Sequence, residues 1–244
     1  MAAEIRTEEL EYRSDDRTMR GLVAFNPHVK GPRPVVLVVP EFWGRTAYME
    51  KRARDMAEAG YVGFAIDLYG DGKVTEDAGE AAELMNEALS DFEALKTRYR
   101  LAIEAIKRHD GVDAESLGAI GYCFGGSVGL SMARQGVRHD ALATFHAGTS
   151  GLAPIAGAID TPVRIFSGAE DPMAPVDEVE RIAAEMRGAG AHVEVTVYPG
   201  VSHAFTNPGA DDKARKFGLP LGYDEQADRD SFQKTIAFFH DRLG

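Results

Sequence analysis

The chain holds one cysteine, Cys123, within Gly121-Tyr122-Cys123-Phe124-Gly125-Gly126, after a run of strand composition and before one of helix composition. That is the setting of the Gly-x-Ser-x-Gly turn that lifts a nucleophile above a sheet, with sulfur in place of the hydroxyl. The turn is so sharp that side chains two positions either side of the nucleophile would collide, and Gly121 and Gly125 remove them. At the amino end of the following helix, Cys123 meets unpaired N–H groups and the positive end of the helix dipole, both of which favour thiolate over thiol. A lone cysteine is by base rate a small buried hydrophobe. Here the glycine spacing, the strand context and the downstream partners argue together for a group that attacks a carbonyl.

Where this turn carries a nucleophile, an Asp and then a His follow it along the chain. Asp171 closes the segment 163–170 and precedes Pro172, so it sits on a strand-end loop where a carboxylate can hold an imidazole tautomer. Its neighbour Glu170 is expected to be solvated, and a turn-forming role before Pro competes for Asp171 itself. His203 follows the last strand in the turn-rich Tyr198-Pro199-Gly200-Val201-Ser202-His203 and is expected to deprotonate the thiol and protonate the leaving group. The competing base is His146, also at a strand end, which reads equally as a pocket or packing histidine. The other five of the seven histidines read as surface or packing residues. No close His/Cys/carboxylate spacing indicates a metal, and no cofactor is expected. Glu41, in Pro40-Glu41-Phe42-Trp43-Gly44, is a carboxylate directly after a strand and reads either as a solvated loop charge or as part of the site.

Groups this far apart need a scaffold to bring them together. The unbroken apolar run 35–39 reads as a central strand buried on both faces, and 18–26 as an alternating strand entering a turn. Residues 47–59 read as a helix ended by Gly60 and 61–68 as a strand, making a strand–helix–strand unit. Residues 76–109 are expected to form two helices broken at Ser90–Asp91, with Met85 and Leu89 in the core. Strands follow at 117–122, 141–145, 163–167 and 193–198, helices at 128–134 and 176–187, and an amphipathic helix at 224–242. With no repeat and no linker, residues 1–244 are expected to be one α/β domain, a mostly parallel central sheet with helices on both faces. Ligands of such sheets bind beyond the carboxyl ends of the strands. Every candidate above meets that test.

A chain of 244 residues is long enough for a substantial core. Its net charge of -12 disfavours phosphate backbones and anionic membranes, so neither nucleic acid nor membrane is expected as a partner. The stretch 1–20 is charged without an apolar run, and no segment approaches the roughly 18 apolar residues of a membrane span. One cysteine allows no intramolecular disulfide, which fits a cytoplasmic protein, expected as monomer or homodimer.

Over nearly its whole length the chain resembles the dienelactone hydrolase family of α/β-hydrolases. The resemblance is carried by Glu41 with Phe42 and Gly44, by Asp67-Leu68-Tyr69, by the Cys123 turn, by Gly168 through Asp171 with Pro175, and by Gly200 through Phe205. It implies that Cys123, Asp171 and His203 form a triad. It also implies that Glu41 contacts the resting thiol and helps activate it when substrate arrives, and that the backbone N–H groups of Phe42 and Phe124 form the oxyanion hole. The activity it implies is cleavage of a small ester or lactone through an acyl-enzyme. Trp43, Tyr122, His146 and Phe205 are expected to line the substrate pocket, although such aromatics serve a core equally well. Family members acting on dienelactone hold its carboxylate with arginines, one shortly after the triad His and one in the helical region after the third strand. Here Thr206 and Asn207 follow Phe205, and no Arg lies between Asp55 and Lys96. Without a cation for charge-assisted, bidentate bonds, dienelactone itself is not the expected substrate. The segment 208–222, with Lys213, Arg215 and Lys216, is expected either to supply replacement cations to a pocket wall or to be a solvated loop. A non-catalytic thiol sensor or binding protein on the same scaffold is the alternative, weakened by the lack of a resolving cysteine.

Overall fold

The structure, a computed structural model, describes residues 4–14 and 17–244. Two compact units result, one ending at Ala119 and taking in Leu243, the other running from Ile120 to Arg242 with Gly244.

In the first unit β1 (Arg6–Ser14) and β2 (Arg17–Phe25) form an antiparallel hairpin. Strand β3 (Arg33–Val39) is followed by helix α1 (Ala47–Glu58) and then by β4 (Val62–Ala65), which lies parallel to β3 and antiparallel to β2. All of β4 and all of β3 except Pro34 are buried, which is why both read as continuous apolar runs. Strand β1 has no such signature and was not expected. As the outermost strand it buries only Tyr12 and Ser14, and its charges guard an exposed edge. Of the charged stretch 1–20, residues 1–3 and 15–16 lie outside the described part.

Helices α2 (Ala78–Ser90) and α3 (Phe92–Ile106) meet at Asp91, whose carboxylate accepts the Ala94 N–H at 3.0 Å and so caps the second helix. The break expected at Ser90–Asp91 is therefore a capping event. The buried stripe of α2 is Ala81, Leu84 and Ala88. Leu89 lies off it and is 39% exposed, and Met85 is half-buried, which corrects the expected core role of this pair.

Asp67, just beyond β4, shows why a carboxylate is buried there. Its Oδ1 accepts the N–H groups of Tyr69 and Gly70, both at 2.9 Å, and its Oδ2 those of Arg20 at 3.0 Å and Gly72 at 2.8 Å. Asp67→Ala would strand four donors with too little water to replace the carboxylate. The expected result is a loss of about 3 to 5 kcal/mol, read as a lower midpoint in urea at unchanged slope.

Strand β5 (Val112–Tyr122) crosses the boundary between the units. The second unit continues with helix α4 (Phe124–Arg134) and strands β6 (Ala141–Phe145) and β7 (Val163–Gly168), then α5 (Val176–Gly188) and β8 (Val193–Tyr198). Strand β7 is parallel to both β6 and β8. Helices α6 (Ala210–Phe217) and α7 (Glu225–Leu243) complete it. Helix α6 occupies the stretch read as a long connection. With only Ala210 buried, it has no apolar stripe to betray it. The strand order is β1-β2-β4-β3-β5-β6-β7-β8 in one eight-stranded, mostly parallel sheet, the α/β architecture expected. No helix among the described residues is long and apolar enough to cross a membrane.

Candidate active site

Cys123 occupies the single residue between β5 and α4 with φ 53° and ψ -119°, a left-handed conformation that an L side chain rarely adopts. The surroundings impose it. Cys123 N–H donates to the Phe145 carbonyl at the end of β6 at 3.0 Å, and the Cys123 carbonyl accepts the N–H groups of Gly126 at 3.0 Å and Ser127 at 3.2 Å. A Cβ on Gly121 would stand 2.4 Å from the Gly125 carbonyl oxygen, so the collision inferred from the sequence is real. The thiol is half-buried at the start of α4.

Asp171 and His203 are brought together by the two loops that carry them. Past β7, Ala169 N–H donates to the Tyr198 carbonyl and Glu170 N–H to the Val201 carbonyl, both at 2.9 Å. The loops run so close that a Cβ on Gly168 would lie 2.2 Å from the Val201 carbonyl oxygen. The steric reason for Gly168 lies in a chain segment more than thirty residues away. With the loops joined, His203 Nδ1 donates to Asp171 Oδ2 at 2.7 Å, both side chains being buried. Asp171 Oδ1 accepts the Met173 N–H at 2.8 Å, which fixes the carboxylate plane. His203 is held from behind as well, its carbonyl accepting the Gly222 N–H at 3.0 Å.

Because Nδ1 carries the proton toward Asp171, Nε2 is left for chemistry. It is buried and short of a full hydrogen-bond partner. Its neighbour on that side is Cys123, which favours the protonated ring. Burial alone would drive the proton off His203. Its neighbours Cys123 and Asp171 outweigh that, and the imidazole is pushed up to about 10. A cationic ring beside the sulfur can both stabilise a thiolate and hand a proton to a leaving group. Glu170 is exposed, as expected.

The competing base, His146, follows β6 at φ 40° and is fully buried. Its Nε2 is hydrogen-bonded to Thr206 Oγ1 at 2.7 Å, so it makes no claim on Asp171, whose oxygens serve His203 and Met173. Tyr122 and Phe205 are fully buried, Tyr122 stacked on Phe145 at 4.6 Å and 9°, Phe205 against His146 and Tyr198. His139 is also interior, and burial pushes it down to about 4, as suits a neutral packing histidine.

In the first unit, Glu41 and Trp43 are each 2% exposed, so the solvated-loop reading of Glu41 does not hold. Their loop is pinned by the Tyr69 hydroxyl, which donates to the Phe42 carbonyl at 2.9 Å, and by a bridge between Gly44 and Val74. The Phe42 and Trp43 rings lie 4.3 Å apart.

The vacated arginine positions have structural duties. Thr206 serves His146, and Asn207 Oδ1 accepts the Gly209 N–H at 2.9 Å. In α6, exposed Arg215 pairs with Asp212 and Lys216 lies 4.7 Å from the Phe217 ring centroid, so these two cations are spent on their own helix. Among the described residues, no three His, Cys, Asp or Glu side chains gather as a metal site.

A strained residue between strand and helix, backed by a buried Asp–His couple from the next strand ends, belongs to the α/β-hydrolase fold. Within that fold the chain belongs to the dienelactone hydrolase family, whose model matches residues 19–243. It is a hydrolase of that family. A relative from Yersinia pestis, provisionally named carboxymethylenebutenolidase, is 30% identical over 187 residues, 72% of this chain and 69% of its own. The crystal structure of a dienelactone hydrolase-like promiscuous phosphotriesterase from metagenomic libraries superposes with a TM-score of 0.90 at 29% identity, covering 98% of this chain and 99% of that one. A structure called m3DLH gives a TM-score of 0.91 at 30% identity over the same shares of the two chains.

Proposed function

We propose that the protein is a cysteine hydrolase that opens small esters or lactones through an acyl-enzyme, with Cys123 as nucleophile, His203 as acid and base, and Asp171 as the group that orients His203. The observation that carries this reading is the buried His203 ring, hydrogen-bonded to Asp171 through Nδ1 at 2.7 Å and neighboured by Cys123. The thiolate Sγ attacks the carbonyl carbon, and the carbonyl electron pair moves onto oxygen. That oxyanion collapses, the C–O bond breaks, and the His203 imidazolium gives its Nε2 proton to the departing alkoxide. The neutral ring then takes a proton from water as its oxygen attacks the thioester. Loss of the thiolate releases the acid, and the imidazolium–thiolate pair is restored. We carry over from the family resemblance the activating role of Glu41 and the oxyanion role of the Phe42 and Phe124 N–H groups. With no arginine in the two positions that hold a carboxylate, we assign an uncharged substrate, met in the cytoplasm.

An activated ester such as p-nitrophenyl acetate tests the mechanism. Wild-type protein should release a burst of nitrophenolate equal to one per chain and carry an acetyl group on Cys123 by mass spectrometry. Cys123→Ala should abolish the burst and lower turnover on the order of 10³-fold or more. Unchanged turnover in Cys123→Ala would eliminate the proposal. Ready oxidation of Cys123 by peroxide, with no turnover of any ester or lactone, would replace it with the thiol-sensor reading.

A further inference from the structure

Behind the His203 ring lies a second imidazole whose position packing alone does not explain. His146 has a positive φ of 40° at the end of β6, where a non-glycine residue is strained, and its N–H donates to the Phe166 carbonyl at 2.8 Å. Its ring stands 5.1 Å from that of His203 at 67°, an edge-to-face contact, and 5.3 Å from Phe205 at 82°. An apolar side chain would pack there without burying a polar ring. The histidine adds the 2.7 Å hydrogen bond between Nε2 and Thr206 Oγ1. Thr206 lies three residues beyond His203, so one short segment holds the catalytic ring and the anchor of the ring behind it.

The Asp171 bond fixes where His203 Nδ1 lies but does not by itself set the tilt of the ring about that bond. A wedge of fixed orientation against one face of the imidazole sets that tilt and keeps Nε2 on the line between the sulfur and the departing oxygen. We propose that His146, oriented by Thr206, is a positioning residue that sets the plane of the His203 imidazole. This rests on the hydrolase reading above. Both acylation and deacylation pass a proton through His203 Nε2, so a misaligned ring slows each of them, while substrate binding is unaffected.

Thr206→Val keeps the shape of the buried side chain and removes the hydroxyl. Expected for it is a fall in kcat of about tenfold with KM changed less than about twofold, rates being referred to sites counted by the nitrophenolate burst. Thr206→Ser, which restores the hydroxyl, should recover kcat to within about threefold of wild type. The downfield proton resonance of the His203 Nδ1–H should shift in Thr206→Val and in His146→Phe, and return in Thr206→Ser. If Thr206→Val lowers thermal stability while kcat per titrated site and that resonance stay at wild-type values, His146 is a packing residue and the proposal is overturned. Absence of a burst in the wild-type protein would instead refute the hydrolase reading, so the two failures are told apart.

Discussion

Replacing His203 with alanine is expected to lower kcat/KM toward an activated ester by roughly 10³ to 10⁴-fold, about 4 to 5 kcal/mol of transition-state stabilisation. The size follows from the number of tasks one ring performs. In the proposed mechanism it holds the cation beside the sulfur, gives a proton to the leaving group and takes one from water. It also leaves Asp171 buried, 3% exposed, without its principal partner. On the proposal that Cys123 and His203 act as a unit, the double variant with Cys123→Ala should be scarcely slower than either single one. Initial rates for the four proteins, corrected for folded fraction, decide the matter. Losses that multiply would mean that the two residues act independently, and the acyl-enzyme scheme would fail.

Asp171→Asn should cost roughly 10³ to 10⁴-fold in kcat while leaving the fold nearly intact, because an amide can present its NH₂ to Nδ1 and so place the ring proton on the wrong nitrogen. This variant also carries a pH signature. In the wild type the imidazole is held up to about 10 against 6.5 for an unperturbed histidine, so the acid form needed by the leaving group is lost only as the pH rises through about 10. The Asp171 hydrogen bond and charge are two of the four influences that raise it, and burial opposes them. Their removal must therefore move the alkaline limb of the kcat profile to lower pH. By linkage, the proton held by folded His203 supports stability fully below about 6.5, and that support fades as the pH climbs through about 10. An alkaline limb that moves upward in Asp171→Asn, or not at all, would contradict the role assigned to the carboxylate.

How far the fold was legible depends on whether an element's constraints are local. Strands β6 and β8 were read to the residue, because a fully buried strand writes its environment into a short apolar run and a half-buried one into alternation. Asp91 marked the break between α2 and α3 because capping uses a side chain and a backbone N–H three residues apart. By contrast β1 and α6 bury one or two residues each, and neither leaves a periodic trace. The burial of Glu41 was equally illegible, because a carboxylate in a loop reads as solvated unless its surroundings are known.

The Cys123 turn was legible for the same local reason: Gly121 must lack a side chain because the backbone of Gly125 passes within reach, and both lie in one six-residue stretch. The family resemblance rested on that turn together with the segments around Glu41, Asp67, Asp171 and His203, and the family model matches residues 19–243. Chain order and the family resemblance favoured His203 over His146, but the hydrogen bond that pairs it with Asp171 exists only in the tertiary structure. His203 and His146 sit in equivalent places along the chain, yet Asp171 lies 32 residues before the first and Thr206 lies 60 residues beyond the second. A hydrogen bond between residues so far apart imposes no spacing, composition or period on the chain between them. Sequence thus determined which groups are available at the strand ends, and packing of the loops around Gly168 determined which imidazole faces the carboxylate.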